Sequence, residues 1–143
     1  MRMLNRTGAE ALLAGQGVPD SEIARVMTGF DIGKPLYEHP FWPQDVLYQL
    51  VRRPTASDPS PETGNWFGLA GMTSAGVAIN DGLGGRGLVA FAVLAPFTAL
   101  EGTAARFALD RGKGIGGAGG ATQVYVPRNL LGHLRPMGPG ERW

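Results

Sequence analysis

The sequence contains no cysteine and only two histidines, His39 and His133. The lack of cysteine excludes disulfide scaffolds, thiolate metal sites and a cysteine nucleophile. Two histidines cannot build a three-histidine metal centre, so we expect no bound metal. We also expect no resident cofactor. The acidic residues between positions 82 and 140 are Glu101 and Asp110. They do not mark the pair of opposed carboxylates that a typical glycosidase uses.

A strong charge of either sign and a long hydrophobic run are also missing. The 143 residues carry 13 basic and 12 acidic side chains, a formal net charge of +1, which argues against a nucleic-acid partner. The most apolar segment, Gly87–Leu100, is interrupted by Pro96 and predicts a buried strand rather than a membrane span. No apolar stretch follows the basic start Met1–Arg6, so we expect no membrane contact and no signal peptide. Any export would then occur as part of a larger exported protein.

The composition is otherwise that of a small globular domain rich in turns. Hydrophobic residues make up 43% of the chain, charged residues 17%, and there are 23 glycines and 11 prolines. Such a chain can bury one core while much of it forms turns and loops. We predict an α+β fold in which a small N-terminal helical segment, residues 1–29, packs on a β-rich body, residues 30–143.

The pattern along the chain predicts two short helices followed by strands. The helices are Thr7–Leu13 and Asp20–Met27, with Asp20 as the N-cap of the second and Gly29 closing it. The tail, Arg135–Trp143, is expected to be loosely held. The other predicted segments are the strands Val46–Val51, Leu88–Leu94, Ala121–Val126 and one beginning at Thr98, extended chain over His39–Gln44, compact structure from Asn65, a helix or strand over Thr73–Asn80, and a short turn or helix over Asn129–Leu134.

The glycine-rich segment Gly112–Gly120 leads into the predicted strand Ala121–Val126. It does not match the P-loop, and it precedes a strand where a dinucleotide fingerprint would open a helix. It is either a plain loop or a lid that packs on a ligand and presents Gln123. The Gln123 amide can orient a water or a sugar hydroxyl without changing protonation state; the alternative is an ordinary exposed strand position.

The predicted strand Val46–Val51 also allows either a functional or a purely structural interpretation. Gln49 lies within it, and Arg52 and Arg53 end it. A guanidinium at a strand end can hold a phosphate, or it can be a solvated terminus. His39 and His133 can in principle form the acid–base couple of a nuclease, although ordinary surface roles fit them as well.

Four separated segments, taken in order, resemble a known family. They are Gly29–Pro35 (GFDIGKP), Gly64–Phe67 (GNWF), Ala99–Ala105 (ALEGTAA) and Gly119–Tyr125 (GGATQVY). Over most of the chain, the sequence resembles the C-terminal toxin domains of bacterial polymorphic toxins and is similar to the tuberculosis necrotizing toxin type of NAD glycohydrolases. We refer to these four segments as the motif segments.

This resemblance implies a fold related to ADP-ribosyltransferases, a cleft for NAD or NADP as substrate, and cleavage of the nicotinamide–ribose bond. It also implies delivery into a target-cell cytoplasm and a cognate immunity protein. Gln123 maps to the catalytic position. The resemblance assigns the phosphates to Arg52 or Arg53, and this chain departs from the family pattern by carrying Gln49 just after the aromatic residue of the same strand. It places Asn65, Trp66 and Phe67 on the nicotinamide or ribose side of the cleft. Gly120 and Thr122 are implied at the border of the cleft.

Alternative functions stay open at this point. An ADP-ribosyltransferase would carry an acidic residue two positions after Gln123, where this chain has Tyr125. A ribonuclease toxin would use His39 or His133, and a non-enzymatic binding module needs no site chemistry. For the hydrolase we expect Gln123→Ala to preserve the fold while lowering kcat about a hundredfold.

Overall fold

A computed structural model describes residues 1–52, 56–57, 64–69, 86–105 and 121–137. The predictions for Arg53, Thr73–Asn80, Gly112–Gly120 and the last six positions of the tail lie outside these residues. The elements are β1 (Arg2–Leu4), α1 (Arg6–Gly15), α2 (Asp20–Thr28), β2 (Leu36–Phe41), β3 (Val46–Arg52), β4 (Trp66–Phe67), β5 (Arg86–Val93), β6 (Phe97–Thr103), β7 (Thr122–Tyr125), the 3-10 helix η1 (Arg128–His133) and β8 (Leu134–Pro136).

Both predicted helices are present, and their first turns are set by local chemistry. The side chain of Asn5 accepts a hydrogen bond from the backbone N–H of Gly8 at 2.7 Å and caps α1. The prediction that Asp20 caps α2 is wrong, because Pro19 occupies the N-cap and Asp20 is already the first helical residue. Proline fixes the extended entry to the helix, and Asp20 then lies in the first turn, where the helix dipole favours an acidic side chain.

The strands form two antiparallel sheets. The five-stranded sheet has the order β1-β2-β6-β7-β4, and the three-stranded sheet has the order β3-β5-β8. An antiparallel bridge between Tyr48 of β3 and Gly68, just after β4, connects the two sheets at one corner. At another corner, the β5–β6 connection is short, and the backbone N–H of Leu94 donates to the carbonyl of His133 at 2.8 Å.

Each face of the five-stranded sheet packs on a different partner, because successive strand residues point to opposite sides. We call the cluster between the sheets the inter-sheet core and the cluster under the helices the helix-side core. The inter-sheet core consists of Phe41, Leu47, Phe67, Val89, Phe91, Val93, Phe97, Ala99, Val124, Val126 and Leu134. The helix-side core consists of Ala9, Leu13, Val18, Ile23, Val26, Met27, Phe30, Leu36, Leu100 and Tyr125.

The α+β prediction is confirmed, with a small helical part on a β-rich body. The segment 1–29 contributes β1 to the five-stranded sheet and shares the helix-side core with β6 and β7. The prediction of a loose tail is wrong for Arg135 and Pro136, since both pair with β5 as part of β8. In the part of the chain that the structure describes, no helix has the length and apolar character needed to cross a membrane.

Candidate functional site

The described parts of the four motif segments are neighbours in the fold. Within the five-stranded sheet, β6, β7 and β4 are consecutive, with Gly102 opposite Gln123 and Trp66 opposite Tyr125. The segment after α2 joins the same group through an antiparallel bridge between Phe30 and Ala104. Segments far apart in sequence therefore meet at one side of the sheet, where β7 is central.

Gln123 lies on the helix side of β7 and is 5% exposed. Its side-chain Nε2 donates to the carbonyl of Gly29, the C-cap of α2, at 2.6 Å. The same carbonyl accepts from the backbone N–H of Ala105 at 2.9 Å. The alternative of an exposed strand position is therefore wrong, because the alternation of β7 turns Gln123 inward with Tyr125.

Gly29 is closely covered on its other side by an aromatic ring. A Cβ at this position would lie 2.8 Å from the Trp66 ring, so only glycine fits without a shift. Trp66 is half-buried and packs against Phe30 and Tyr125, with ring centroids 5.1 and 5.0 Å apart. The end of α2 is thus fixed by both Gln123 and Trp66.

Gln49 occupies the inter-sheet side of β3 and is 4% exposed. Its Nε2 donates to the carbonyls of Gly64 and Trp66 at 3.0 and 3.1 Å, which fixes the direction of the amide. Within the described residues its Oε1 is buried and has no hydrogen-bond partner, a situation shared by Oε1 of Gln16. A buried acceptor without a partner costs about 1–3 kcal/mol, and a hydroxyl or amide that reached Oε1 of Gln49 would offset that cost.

The neighbouring predicted residues fall into two groups. Asn65 is fixed against β7, since its Nδ2 donates to the carbonyl of Val126 at 2.9 Å and its carbonyl accepts from the Val126 N–H at 2.8 Å. Phe67 is 1% exposed and meets Phe91 edge-to-face at 5.3 Å, so it is a residue of the inter-sheet core. Trp66 and Phe67 therefore face opposite sides of the sheet.

The remaining predicted positions lie at strand ends. Arg52 is the last residue of β3 and stands directly across from Arg86 of β5. Thr122 is exposed, begins β7 and stands opposite Thr103. Arg53 and Gly120 lie outside the described residues.

One polar pair on the inter-sheet face, His39 and Glu101, is not predicted by the sequence. His39 Nδ1 of β2 lies 2.5 Å from Glu101 Oε1 of β6, with side-chain exposures of 23% and 8%. Glu101 is the only charged residue of β6, a strand of otherwise apolar and small residues, and that charge was the available signal. In the described part of the chain, no group of three His, Asp or Glu side chains could hold a metal ion.

The two histidines do not form a couple. His39 stacks on Phe41 at 4.1 Å, Phe41 lies 5.3 Å from Phe97, and Phe97 meets His133 at 5.9 Å. Two phenyl rings thus stand between the imidazoles in this row. The acid–base couple considered from the sequence is not assembled.

Tyr125 is the described residue with a shifted pKa. Burial in the helix-side core raises the pKa of its phenol, and the carboxylate of Glu22 raises it further, against the opposing effect of Arg25 and Arg128. The neutral phenol is therefore the favoured form in the fold.

The fold has similar counterparts among solved structures. Tse6, solved in complex with Tsi6, superposes with a TM-score of 0.75 and 19% identity over 94% of this chain and 94% of that chain. Rhs1-CT, solved in complex with its cognate immunity protein RhsI1, gives a TM-score of 0.52 and 20% identity over 80% and 83% of the two chains. No protein-family model matches the chain, and no curated protein sequence matches it. At these identities the likeness shows a common fold.

Proposed function

We propose that this chain is a toxin domain that hydrolyses NAD+ or NADP+ at the nicotinamide–ribose bond. The observation that carries the proposal is the meeting of the motif segments around β7, with Gln49 nearby. Segments scattered over the sequence have no physical reason to share a pattern with one family unless they act together in the fold. The same proposal includes delivery into a target-cell cytoplasm as part of a larger exported protein.

The similar structures of Tse6 and Rhs1-CT support the partner part of the proposal. Each was solved with a second protein, and for Rhs1-CT that protein is a cognate immunity protein. A cell that makes an NAD-destroying enzyme needs to block it. We therefore propose a cognate immunity protein for this chain that covers the substrate cleft.

Cleavage of the nicotinamide–ribose bond depends more on groups that bind the dinucleotide than on a strong acid. When the nicotinamide–ribose bond breaks, positive charge develops on the ribose while nicotinamide leaves as a neutral molecule. A site that grips the dinucleotide and stabilises that change accelerates the reaction. Oε1 of Gln49, unpaired among the described residues, is proposed to accept a hydrogen bond from a ribose hydroxyl or the carboxamide of nicotinamide. The sequence resemblance assigns the phosphates to Arg52, the last residue of β3, or to Arg53.

The catalytic role of Gln123 stays a prediction, and its hydrogen bond to Gly29 favours a structural role instead. Its Nε2 is engaged by Gly29, so any contact with substrate would come from its Oε1. Substitution of each glutamine in turn therefore separates a role in binding substrate from a role in stabilising the fold.

The deciding experiment is incubation of the purified chain with NAD+ and, separately, NADP+. Free nicotinamide and ADP-ribose or its 2′-phosphate are measured over time by chromatography. We expect both products in equal amounts and strong loss of activity in Gln49→Met, with Leu69→Ala, an exposed position after β4, as the matched active control. Intact dinucleotide at micromolar protein would overturn the proposal.

Two added measurements separate the alternative functions. An ADP-ribosyltransferase would release nicotinamide and also label a macromolecule in a target-cell lysate, whereas a hydrolase leaves the label on free ADP-ribose. A ribonuclease would degrade RNA without consuming NAD+. Binding of a partner with neither reaction would favour a non-enzymatic module.

A further inference from the structure

Glu101 is a buried carboxylate, which destabilises the fold unless it is paired. It is 6% exposed and stands between Tyr37 of β2 and Val124 of β7 on the inter-sheet face. Burying a carboxylate costs several kcal/mol unless it is paired and hydrogen-bonded. The partner that the described residues supply is His39 Nδ1 at 2.5 Å.

This contact decides the state of the imidazole. An ionised carboxylate can only accept a hydrogen bond, so Nδ1 of His39 carries the hydrogen and donates it to Oε1 of Glu101. In the neutral ring, the lone pair is then on Nε2. The ring orientation is fixed a second time by stacking on Phe41, with an interplanar angle of 4°.

Nε2 of His39 is available. Among the described residues it has no hydrogen-bond partner, and the His39 side chain is 23% exposed. A carboxylate on one imidazole nitrogen and an open lone pair on the other is the arrangement that makes histidine a proton acceptor in hydrolytic enzymes. His133 differs from His39 in this respect, because its Nδ1 contacts the carbonyl of Pro96 at 3.2 Å and no carboxylate.

We propose that His39 accepts the proton of the attacking water in the hydrolysis of the dinucleotide and that Glu101 positions it. This inference rests on the proposed function. The bond between ribose C1′ and the nicotinamide nitrogen breaks, and its electron pair goes to that nitrogen. A bond forms between C1′ and the water oxygen, the water proton passes to Nε2, and His39 later releases it to solvent.

The strand positions that adjoin the pair add one further titratable group among the described residues, Tyr37. On the same face of the sheet the nearby titratable groups among the described residues are Glu101 and Tyr37, with His133 beyond the two phenyl rings. Arg2 and Glu38 pair with each other at 2.9 Å and belong to the opposite face. An acid limb in the pH profile that vanishes with His39 is therefore assigned to this residue.

The test is the pH profile of kcat/KM for NAD+ hydrolysis by the whole chain between pH 5 and 9, in wild type and three variants. We expect an acid limb in wild type, a loss of about a hundredfold or more without that limb in His39→Gln, and a similar loss in Glu101→Gln. Glutamine at position 101 can donate to Nδ1 and so leave the hydrogen on Nε2. His133→Gln, the matched control, should retain both rate and limb.

A fourth variant separates chemistry from folding. His39→Ala is assayed with and without added imidazole. Imidazole should raise the rate of this variant at least tenfold without changing its melting temperature. Wild-type activity in His39→Gln, or a lack of rescue, would overturn this inference while leaving the proposed function intact. A wild-type chain that consumes no NAD+ would overturn both.

Discussion

The inter-sheet core and the helix-side core each adjoin one buried glutamine, and the two amides are used differently. Gln123 on the helix side donates to the carbonyl that ends α2. Gln49 on the inter-sheet side donates to the carbonyls of Gly64 and Trp66, but its own oxygen has no partner in the described part of the chain. A buried amide that completes a contact stabilises the fold, whereas one that retains a free acceptor is suited to a ligand.

The polar groups follow the same division. The inter-sheet face also carries the His39–Glu101 pair, whereas the described helix side carries the uncharged Gln123 and Tyr125 among closely fitted residues, such as Gly102 beneath Phe30. The proposed chemistry therefore belongs to the inter-sheet side. The helix side holds the framework, and substitutions on the two sides should have different consequences.

The largest expected effect is on activity, from Gln49→Met. This change keeps the size of the side chain but removes the free acceptor, so kcat/KM for NAD+ should fall about a hundredfold. The free energy of unfolding should fall by about 1–2 kcal/mol, because the carbonyls of Gly64 and Trp66 lose the donated hydrogen bonds, while the removal of the unpaired oxygen offsets part of that loss. A large fall in stability with unchanged kcat/KM would reverse the roles given to the two cores.

Next in size is a steric test of the helix side, Gly102→Ala. The added Cβ would lie 2.7 Å from Leu36 Cδ2 and 2.7 Å from Phe30 Cδ1, both in buried side chains. Overpacking of this kind costs about 1–3 kcal/mol, which urea unfolding measures directly. Gly15→Ala is the matched control, because a Cβ there meets nothing within 4 Å, and it should leave stability equal or higher.

A smaller effect is expected from Gln123→Met. The Gly29 carbonyl loses one of its two donors but keeps the N–H of Ala105. We expect a loss of about 1 kcal/mol in unfolding free energy and NAD+ turnover in proportion to folded protein. A hundredfold loss of kcat with unchanged stability would instead establish the catalytic role predicted from the sequence.

The smallest effect concerns Tyr125 at high pH. Because its pKa is raised in the folded state, its contribution to stability is complete below the ordinary value of about 10 and is lost as pH rises through the folded value. The difference in unfolding free energy between wild type and Tyr125→Phe should be constant from pH 7 to 9. Above pH 10 the wild type should lose stability relative to Tyr125→Phe. Denaturant titrations at each pH measure it; a difference that stays constant to pH 11 would contradict the raised pKa.

Part of this arrangement is local and was predictable from the sequence. Asp20–Thr28 forms a helix because its apolar residues recur at helical spacing after a proline. The strands Val46–Arg52 and Thr122–Tyr125 follow from runs of β-formers that end near proline or arginine. Cysteine and histidine counts, charge balance and the order of the motif segments are likewise properties of the chain itself.

The partners of the polar side chains were decided by tertiary structure. The pattern of β7 gives alternation but does not say which face meets the helices, so Gln123 was expected at an exposed or cleft-lining position and is instead bound to Gly29. Likewise, His39 and Glu101 are 62 positions apart and meet only because β2 pairs with β6. A sequence sets the spacing of side chains along each strand, whereas strand order and register fix which of them touch and which oxygen is left without a partner.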